Sequence, residues 1–351
     1  MDKRFETLSP EALRHAEMIY THKLYSLKHL KMFSKYAWKA TKDLSEKHGR
    51  SRLFYWLDMM WSNLRYGAMH HRDYVEFEFY RKNGWDRNRF FTLRRFYAYS
   101  RELDRDSLCH MIDKAWVYQH FTSLVKRDWL LVNDQTLDNE IHSFIDAHGK
   151  VLVKPISADK GKGIHVISKA DEQEIKSIVD EKNKRTLLLE EILCNCEELN
   201  RINPSSLNTL RVFTIVNTND EIEIINIFLR CGCGETVVDN WGAGGVGYPV
   251  DVKTGVVCAP GVDMKGNKHV IHPGTDIVMP GFKIPRYEEV CRISREIIEQ
   301  NRKVVYAGLD LAILPDRIEL IEVNFPPGYE LIQMYDQIGK NDLINRIKKV
   351  M

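Results

Sequence analysis

"VLVKPISADKGKGIHVIS", residues 151–168, decides how this chain is read. An apolar run, Val151-Leu152-Val153, delivers Lys154 and a proline. A polar stretch holding Lys160, Gly161, Lys162 and Gly163 follows, and a second apolar run, Ile164 to Ile167, comes at once. Two short β-branched runs around a glycine-containing turn predict a hairpin. A plain hairpin needs the turn but not the positive charge, whereas a loop that closes over phosphates needs both. Lys154 ends the first strand, where its ammonium could reach phosphate oxygens. Gly161 and Gly163 let backbone N–H groups approach anions without a Cβ in the way. The spacing matches neither the G-K-[ST] phosphate loop nor the dinucleotide glycine fingerprint. A solvated lysine-rich hairpin is the plain alternative.

Outward from this hairpin, short β-branched runs lie at 186–190, 211–217, 222–229, 304–306, 310–314 and 318–323. Helical segments such as "ADEQEIKSIVDEKN" (170–183) and "RYEEVCRISREIIEQN" (286–301) separate some of them. Hairpin-like and helix-linked strands together predict an α+β fold with antiparallel sheets. Residues 10 to about 105 differ. "SRLFYWLDMMWSNLRYG" (51–67) and "VEFEFYRKNGWDRNRFFTLRRFYAYS" (75–100) return apolar residues at three and four with few breakers, so this region reads as helix. Its aromatic stripe reads first as helix-packing surface; alternating aromatics and arginines also admit RNA.

Composition bounds the classes. At 351 residues the chain exceeds the usual single domain, which predicts two domains or one with an extension. Hydrophobic residues at 44% and charged residues at 28% describe an ordinary globular protein. A balance of 51 basic against 49 acidic residues argues against a dedicated nucleic-acid binder. The start, "MDKRFETLSP", has no apolar core, and no stretch approaches about eighteen uncharged apolar residues. A cytoplasmic chain without secretion signal or membrane span is therefore expected. Seven cysteines in no regular framework read as reduced thiols. The C-x-C pairs Cys194/Cys196 and Cys231/Cys233 invite a metal, but zinc knuckles use longer spacings. A period of two on a strand would instead put both thiols on one packed face.

A second cluster lies in "YAGLDLAILPDRIELIEVNFPPG" (306–328). Asp310 sits in one apolar strand, while Glu322 and Asn324 share a face of the next because strand side chains repeat every two residues. Two carboxylates and an amide oxygen among apolar neighbours are costly unless paired or metal-bound. Hard oxygen ligands suit Mg²⁺, which bridges carboxylates to nucleotide phosphates. An acidic rim at a sheet edge is the bland reading. Arg211 and Arg230 lie on neighbouring strand-like runs. Their guanidiniums suit bidentate binding of phosphate or carboxylate, or else close surface salt bridges of little worth.

In this order, a phosphate-covering K-P…G-x-G hairpin, an acidic hinge strand "LLLEEIL" (187–193) and late D…E-x-N ligands resemble the ATP-grasp superfamily. "SLNTLRVFTI" (206–215), "LRCGCGETVVDNWGAGGVGYPVD" (229–251) and the 306–328 stretch resemble its sugar-transfer-associated and teichuronopeptide-type branch, over roughly residues 105–335. The resemblance implies an ATP-grasp domain at 106–351, two α+β subdomains gripping ATP, behind a mostly helical region at 1–105. The nucleotide-lid part would span about 115–200 and the Mg²⁺-binding part 201–351. ATP and two Mg²⁺ ions are the implied cofactors.

Carried over by resemblance, Lys114 in "MIDKAWVYQHF" (111–121) approaches the α-phosphate from a helix start. Lys154 takes the α/β-phosphates, under a hairpin holding Lys160, Gly161 and Gly163. In the hinge, Glu190 offers its backbone carbonyl to the adenine amino group and Leu193 its N–H to the ring, with Glu191 between them. Glu197 accepts the ribose hydroxyls. Asp310, Glu322 and Asn324 hold the magnesium ions, and Arg211, Arg230 and Asn240 stand at the reacting phosphoryl group.

The chemistry implied is ATP-dependent carboxylate–amine ligation through an acylphosphate, carried by positioning and electrostatics rather than a nucleophilic side chain. The lysine-glycine hairpin becomes a lid that keeps water away. The branch resembled adds the attachment of an amino acid to a cell-surface polysaccharide or its precursor. Partners are then small-molecule carboxylate and amine substrates and a saccharide acceptor, with no nucleic acid; a homodimer is admitted. A phosphotransferase acting on a hydroxyl is the alternative in the same fold. A non-catalytic nucleotide-binding partner of a glycosyltransferase is another, and the Asp310/Glu322/Asn324 set speaks against it. One departure matters: aromatic helices at 10–105 replace the usual sheet-containing domain ahead of the grasp, which leaves the acceptor open.

Overall fold

The computed structural model describes residues 8–21, 27–68, 70–156, 163–234 and 244–351. The first part is helical, as the three-and-four spacing predicts: α1 (Pro10–Thr21), α2 (Leu27–His48), α3 (Arg52–Tyr66), α4 (His71–Glu76), α5 (Gly84–Asn88), α6 (Leu93–Ser100), α7 (Arg105–Ile112) and α8 (Lys114–His120). Local chemistry sets the ends. Ser51 caps α3 by accepting the Phe54 N–H, and Gly67, at φ 74°, closes it in the left-handed region that favours glycine. Asp113 caps α8 by accepting the Trp116 N–H at 3.0 Å, which fixes Lys114 as the first helical residue.

Strands then form two antiparallel sheets. The smaller contains β1 (Trp129–Val132), β2 (Lys150–Pro155), β3 (His165–Ser168) and β4 (Leu187–Glu191), in the order β1-β4-β2-β3. Its hairpin is the one read from residues 151–168: Val151 pairs with Ile167 and Val153 with His165. Gly163 has φ 75°, and a Cβ there would lie 3.0 Å from the Pro155 ring, so the turn requires glycine. Helices α9 (Asp138–His148) and α10 (Glu172–Glu181) cover one face, burying Ile141, Ile145, Ile175 and Ile178 against Val151, Val153, Leu187 and Leu189. Alternation along β2 and β4 leaves Lys154, Leu188 and Glu190 on the opposite face.

The larger sheet runs β11-β10-β5-β6-β7-β8-β9. Its strands are β5 (Thr209–Val216), β6 (Ile222–Cys231), β7 (Val246–Val250), β8 (Gly261–Val262), β9 (Lys268–His269), β10 (Tyr306–Ile313) and β11 (Ile318–Asn324). The runs at 304–306 and 310–314, separate in the sequence reading, become the single strand β10. Every residue of β10 is buried, so Gly308 and Asp310 stay in the ladder instead of breaking it. Helices α11 (Glu197–Asn200), α12 (Tyr287–Glu299), α13 (Leu331–Met334) and α14 (Asn341–Ile347) complete the chain. α12 carries Ile293, Ile297 and Ile298 into the core.

One hydrophobic core joins the aromatic helices to the larger sheet, running from Phe33, Tyr74 and Tyr99 to Phe213, Tyr306 and Tyr329. Polar contacts fix the seam. The Tyr329 hydroxyl donates to the buried Asp73 carboxylate at 2.8 Å, and Asp73 also accepts the Leu93 N–H at 3.0 Å. Burial pushes the Asp73 carboxyl up to about 8. Gln333 bonds the backbone of Phe91 in both directions, at 2.8 and 3.0 Å. Among the described residues no helix is long and apolar enough to cross a membrane.

The cysteines are free thiols. Contrary to the period-two reading, Cys194 and Cys196 lie between β4 and α11 rather than on a strand; Cys194 is exposed and Cys196 buried. Cys231 ends β6 and Cys233 lies beyond it.

Candidate active site

The pleat of the larger sheet assembles one polar group. Asp310 on β10 pairs with Glu322 on β11 and with Arg211 on β5, while Gly308 pairs with Asn324. Arg230 on β6 stands opposite Thr209, two residues from Arg211 along β5. Asp310, Glu322, Asn324, Arg211, Arg230 and Thr209 therefore all rise from the same face. Arg211 grips Asp310 through two nitrogens, Nε on Oδ1 and Nη2 on Oδ2, the latter at 2.9 Å. Arg230 adds Nη2 at 3.1 Å from Oδ2, and donates to Thr209 Oγ1 at 2.8 Å. Asn324 donates its amide to Asp310 Oδ2 at 3.4 Å. Burial pushes the Asp310 carboxyl up, but the two guanidiniums outweigh it and hold Asp310 below the usual carboxylate range. Gly308 gives Arg211 its path: a Cβ there would lie 3.1 Å from Arg211 Cδ and 2.9 Å from the Pro327 side chain.

Glu322 meets Lys114 across the seam, Oε1 to Nζ 3.1 Å, and Lys114 Nζ also lies 3.4 Å from the Ile156 carbonyl oxygen. A cavity of about 370 Å³ opens beside them, bounded by Asn324 and by Ile19, Leu93 and Phe96 of the helical region.

A second polar group lies under the smaller sheet. Lys154 Nζ donates to Glu190 Oε2 at 2.7 Å, diagonally across β2 and β4. Glu190 also accepts from Arg127 Nε at 2.9 Å and from the Tyr118 hydroxyl at 3.0 Å. Arg127 lies over the Tyr118 ring, 4.2 Å from its centroid. Burial pulls the Lys154 ammonium down from its ordinary value, with Glu190 opposing. Burial likewise pushes Glu190 up, but Lys154 and Arg127 prevail and hold its carboxyl at about 2. The sequence reading gave Glu190 a role only through its backbone. That backbone lies between two paired strands, with Trp129 on one side and Leu152 on the other.

Other predicted residues are placed without joining these groups. Glu191 Oε2 accepts the Asp128 N–H at 3.1 Å, Leu193 is half-buried beyond β4, and the exposed Glu197 pairs with Arg201 along α11. Lys160, Gly161 and Asn240 lie outside the described residues. Arg127, Tyr118 and Glu319 were missed, since their meeting depends on two sheets that no local pattern links.

The donor set fits Mg²⁺. Among the described residues no three His, Cys, Asp or Glu side chains converge to hold a metal alone. Asp310, Glu322 and Asn324 offer hard oxygens, two of them carboxylates, a donor type that suits Mg²⁺ shared with phosphate oxygens and water.

The two antiparallel sheets, with helices packed on them, are the mixed α+β architecture expected from the sequence. The chain belongs to the sugar-transfer associated ATP-grasp family, whose model matches residues 99–350. Enzymes of the ATP-grasp class use ATP and Mg²⁺. Among solved structures the chain is similar to an ADP complex of N5-carboxyaminoimidazole ribonucleotide synthetase, 12% identical, TM-score 0.42, over 64% of this chain and 48% of that one. It is also similar to D-alanyl-alanine synthetase A from Vibrio cholerae (11%, TM-score 0.44, 70% and 67%). A D-alanine–D-alanine ligase from Bacillus anthracis is a third (14%, TM-score 0.42, 70% and 69%). The chain spans from 48% to 69% of the length of these three. No curated protein matches it.

Proposed function

We propose that the protein is an ATP-dependent carboxylate–amine ligase that works through an acylphosphate and attaches an amino acid to a cell-surface polysaccharide or its precursor. The observation that carries this reading is the Asp310 carboxylate held between Arg211 and Arg230, on one sheet face with Glu322 and Asn324. Two guanidiniums beside an acidic oxygen set suit a site where negative charge moves between phosphate and carboxylate. Mg²⁺ held by Asp310, Glu322 and Asn324 would neutralise phosphate charge.

Lys114 and Lys154 would hold the nucleotide phosphates, Lys154 turning from Glu190 toward them. A substrate carboxylate oxygen attacks the γ-phosphorus, the bond to the β-phosphate oxygen breaks and ADP leaves. The amine then attacks the acyl carbon, phosphate departs and the amine loses a proton. Arg211 and Arg230 neutralise the charge that builds on the transferring group.

The test adds hydroxylamine to enzyme, ATP and a panel of amino acids and sugar acids. ADP release together with a hydroxamate from one carboxylate is the expected result, since an acylphosphate is a reactive anhydride. A stable phosphorylated product with no hydroxamate would overturn the ligase reading in favour of a kinase.

A further inference from the structure

Helix α3 is apolar on the side that faces away from the protein. Tyr55, Met59, Ser62 and Tyr66 turn inward and are buried. Leu53, Leu57, Trp61 and Leu64 turn outward and stay more than half exposed, at 57, 55, 56 and 57%. Steps of four, four and three set these side chains in one line along the helix. The aromatic stripe is thus helix-packing surface on one side only.

On α2, Lys31, Lys35, Trp38 and Lys42 form a second exposed line with a similar spacing. The two helices meet at Trp38 and Arg52. Arg52 of α3 stacks on the Trp38 ring, 4.5 Å from its centroid, and donates to the Trp38 carbonyl oxygen at 3.0 Å. Arg50 lies over Phe54, also at 4.5 Å. Two arginine guanidiniums therefore lie over exposed aromatic rings of these two helices, Trp38 and Phe54.

The two helices are also strongly cationic. Residues 27–66 contain nine Lys and Arg against three Asp and Glu, net +6, in a chain whose total is +2. A second copy docked face to face would bring +6 against +6. RNA would satisfy the cations but leave three leucines in water. A bilayer with anionic headgroups satisfies both: phosphates meet the Lys and Arg margin while Leu and Trp enter the headgroup–acyl boundary.

We propose that the α2–α3 hairpin docks this protein on the surface of an anionic lipid bilayer. The proposal is independent of the ligase reading. The test sediments full-length protein with vesicles of phosphatidylcholine alone, or mixed with an equal amount of phosphatidylglycerol. Pelleting with the anionic vesicles only is expected. Leu57→Glu and Trp61→Glu, and separately Lys35→Glu with Lys42→Glu, should each lower the bound fraction about tenfold or more. Each should keep the parent's circular dichroism and cooperative melting. No binding of the parent to anionic vesicles, or binding that all these variants retain, would overturn the proposal. A dimer in sedimentation velocity that Leu57→Glu splits, with vesicles left unbound, would assign the face to a second copy instead. Capture of polyuridine with vesicles left unbound would overturn it equally.

Discussion

Arg127 and Glu319 join the two sheets. Arg127 Nη1 donates to Glu319 Oε1 at 3.1 Å, and the same oxygen accepts the N–H groups of Lys126 and Arg127 at 2.8 and 3.0 Å. Through Nε, Arg127 also holds Glu190 at 2.9 Å, so one cation serves β4 of the smaller sheet and β11 of the larger. Arg127→Met would leave two buried carboxylates short of a partner. It should destabilise the protein by about 3–5 kcal/mol in denaturant unfolding. A loss below about 1 kcal/mol would show that the link is not structural.

Acid should expose the second carboxylate of this network. Glu190 is held at about 2 in the folded protein against an ordinary 4.5. A folded value below the unfolded one gives stability that is complete above pH 4.5 and lost as pH falls toward 2. Across that window the parent should lose about 3 kcal/mol more than Glu190→Gln, which cannot titrate there. Equal slopes in acid unfolding would remove Glu190 from the account.

Nucleotide binding should report on Lys154. ATP at about 100 times its dissociation constant should stabilise the protein by roughly 2.7 kcal/mol, read as a raised melting temperature. Lys154→Ala should lose most of that shift. The unchanged shift in this variant would place the phosphates elsewhere.

Asp310→Asn and Glu322→Gln should each abolish ADP release while ATP binding falls less, because both keep size and remove charge. Arg230→Ala should lower turnover by about 10²–10³ with nucleotide affinity nearly kept, the loss expected of a transition-state donor. Full turnover in Glu322→Gln would show that Glu322 does not hold a catalytic metal.

Much of the candidate site's geometry was legible because strand periodicity is local. A period of two puts Glu322 and Asn324 on one face, and Asp310 needed only to lie in the neighbouring strand. The hairpin at 151–168 was legible through its glycines and β-branched flanks. Partner choice was not. The sequence leaves it open that Arg211 and Arg230 both close on Asp310, or that the Glu190 carboxylate takes Lys154, because those pairings follow from strand order. The outward face of α3 was hidden for the same reason. Its leucines and tryptophan have the spacing of a packed helix, and only the tertiary fold leaves them uncovered.

The Tyr329 to Asp73 bond and the two-way contact between Gln333 and Phe91 bind the segment after β11, its loop and α13, to α4 and the residues just ahead of α6, more than two hundred residues upstream. The helical region and the carboxylate strand are therefore not independently exchangeable parts in recombination. A chimera taking residues 8–105 from another member of the family would have to bring partners for Tyr329 and Gln333 with it. Without them, the segment leading out of Glu322 and Asn324 would lose its footing, and the defect would surface at the Asp310 group, far from the junction.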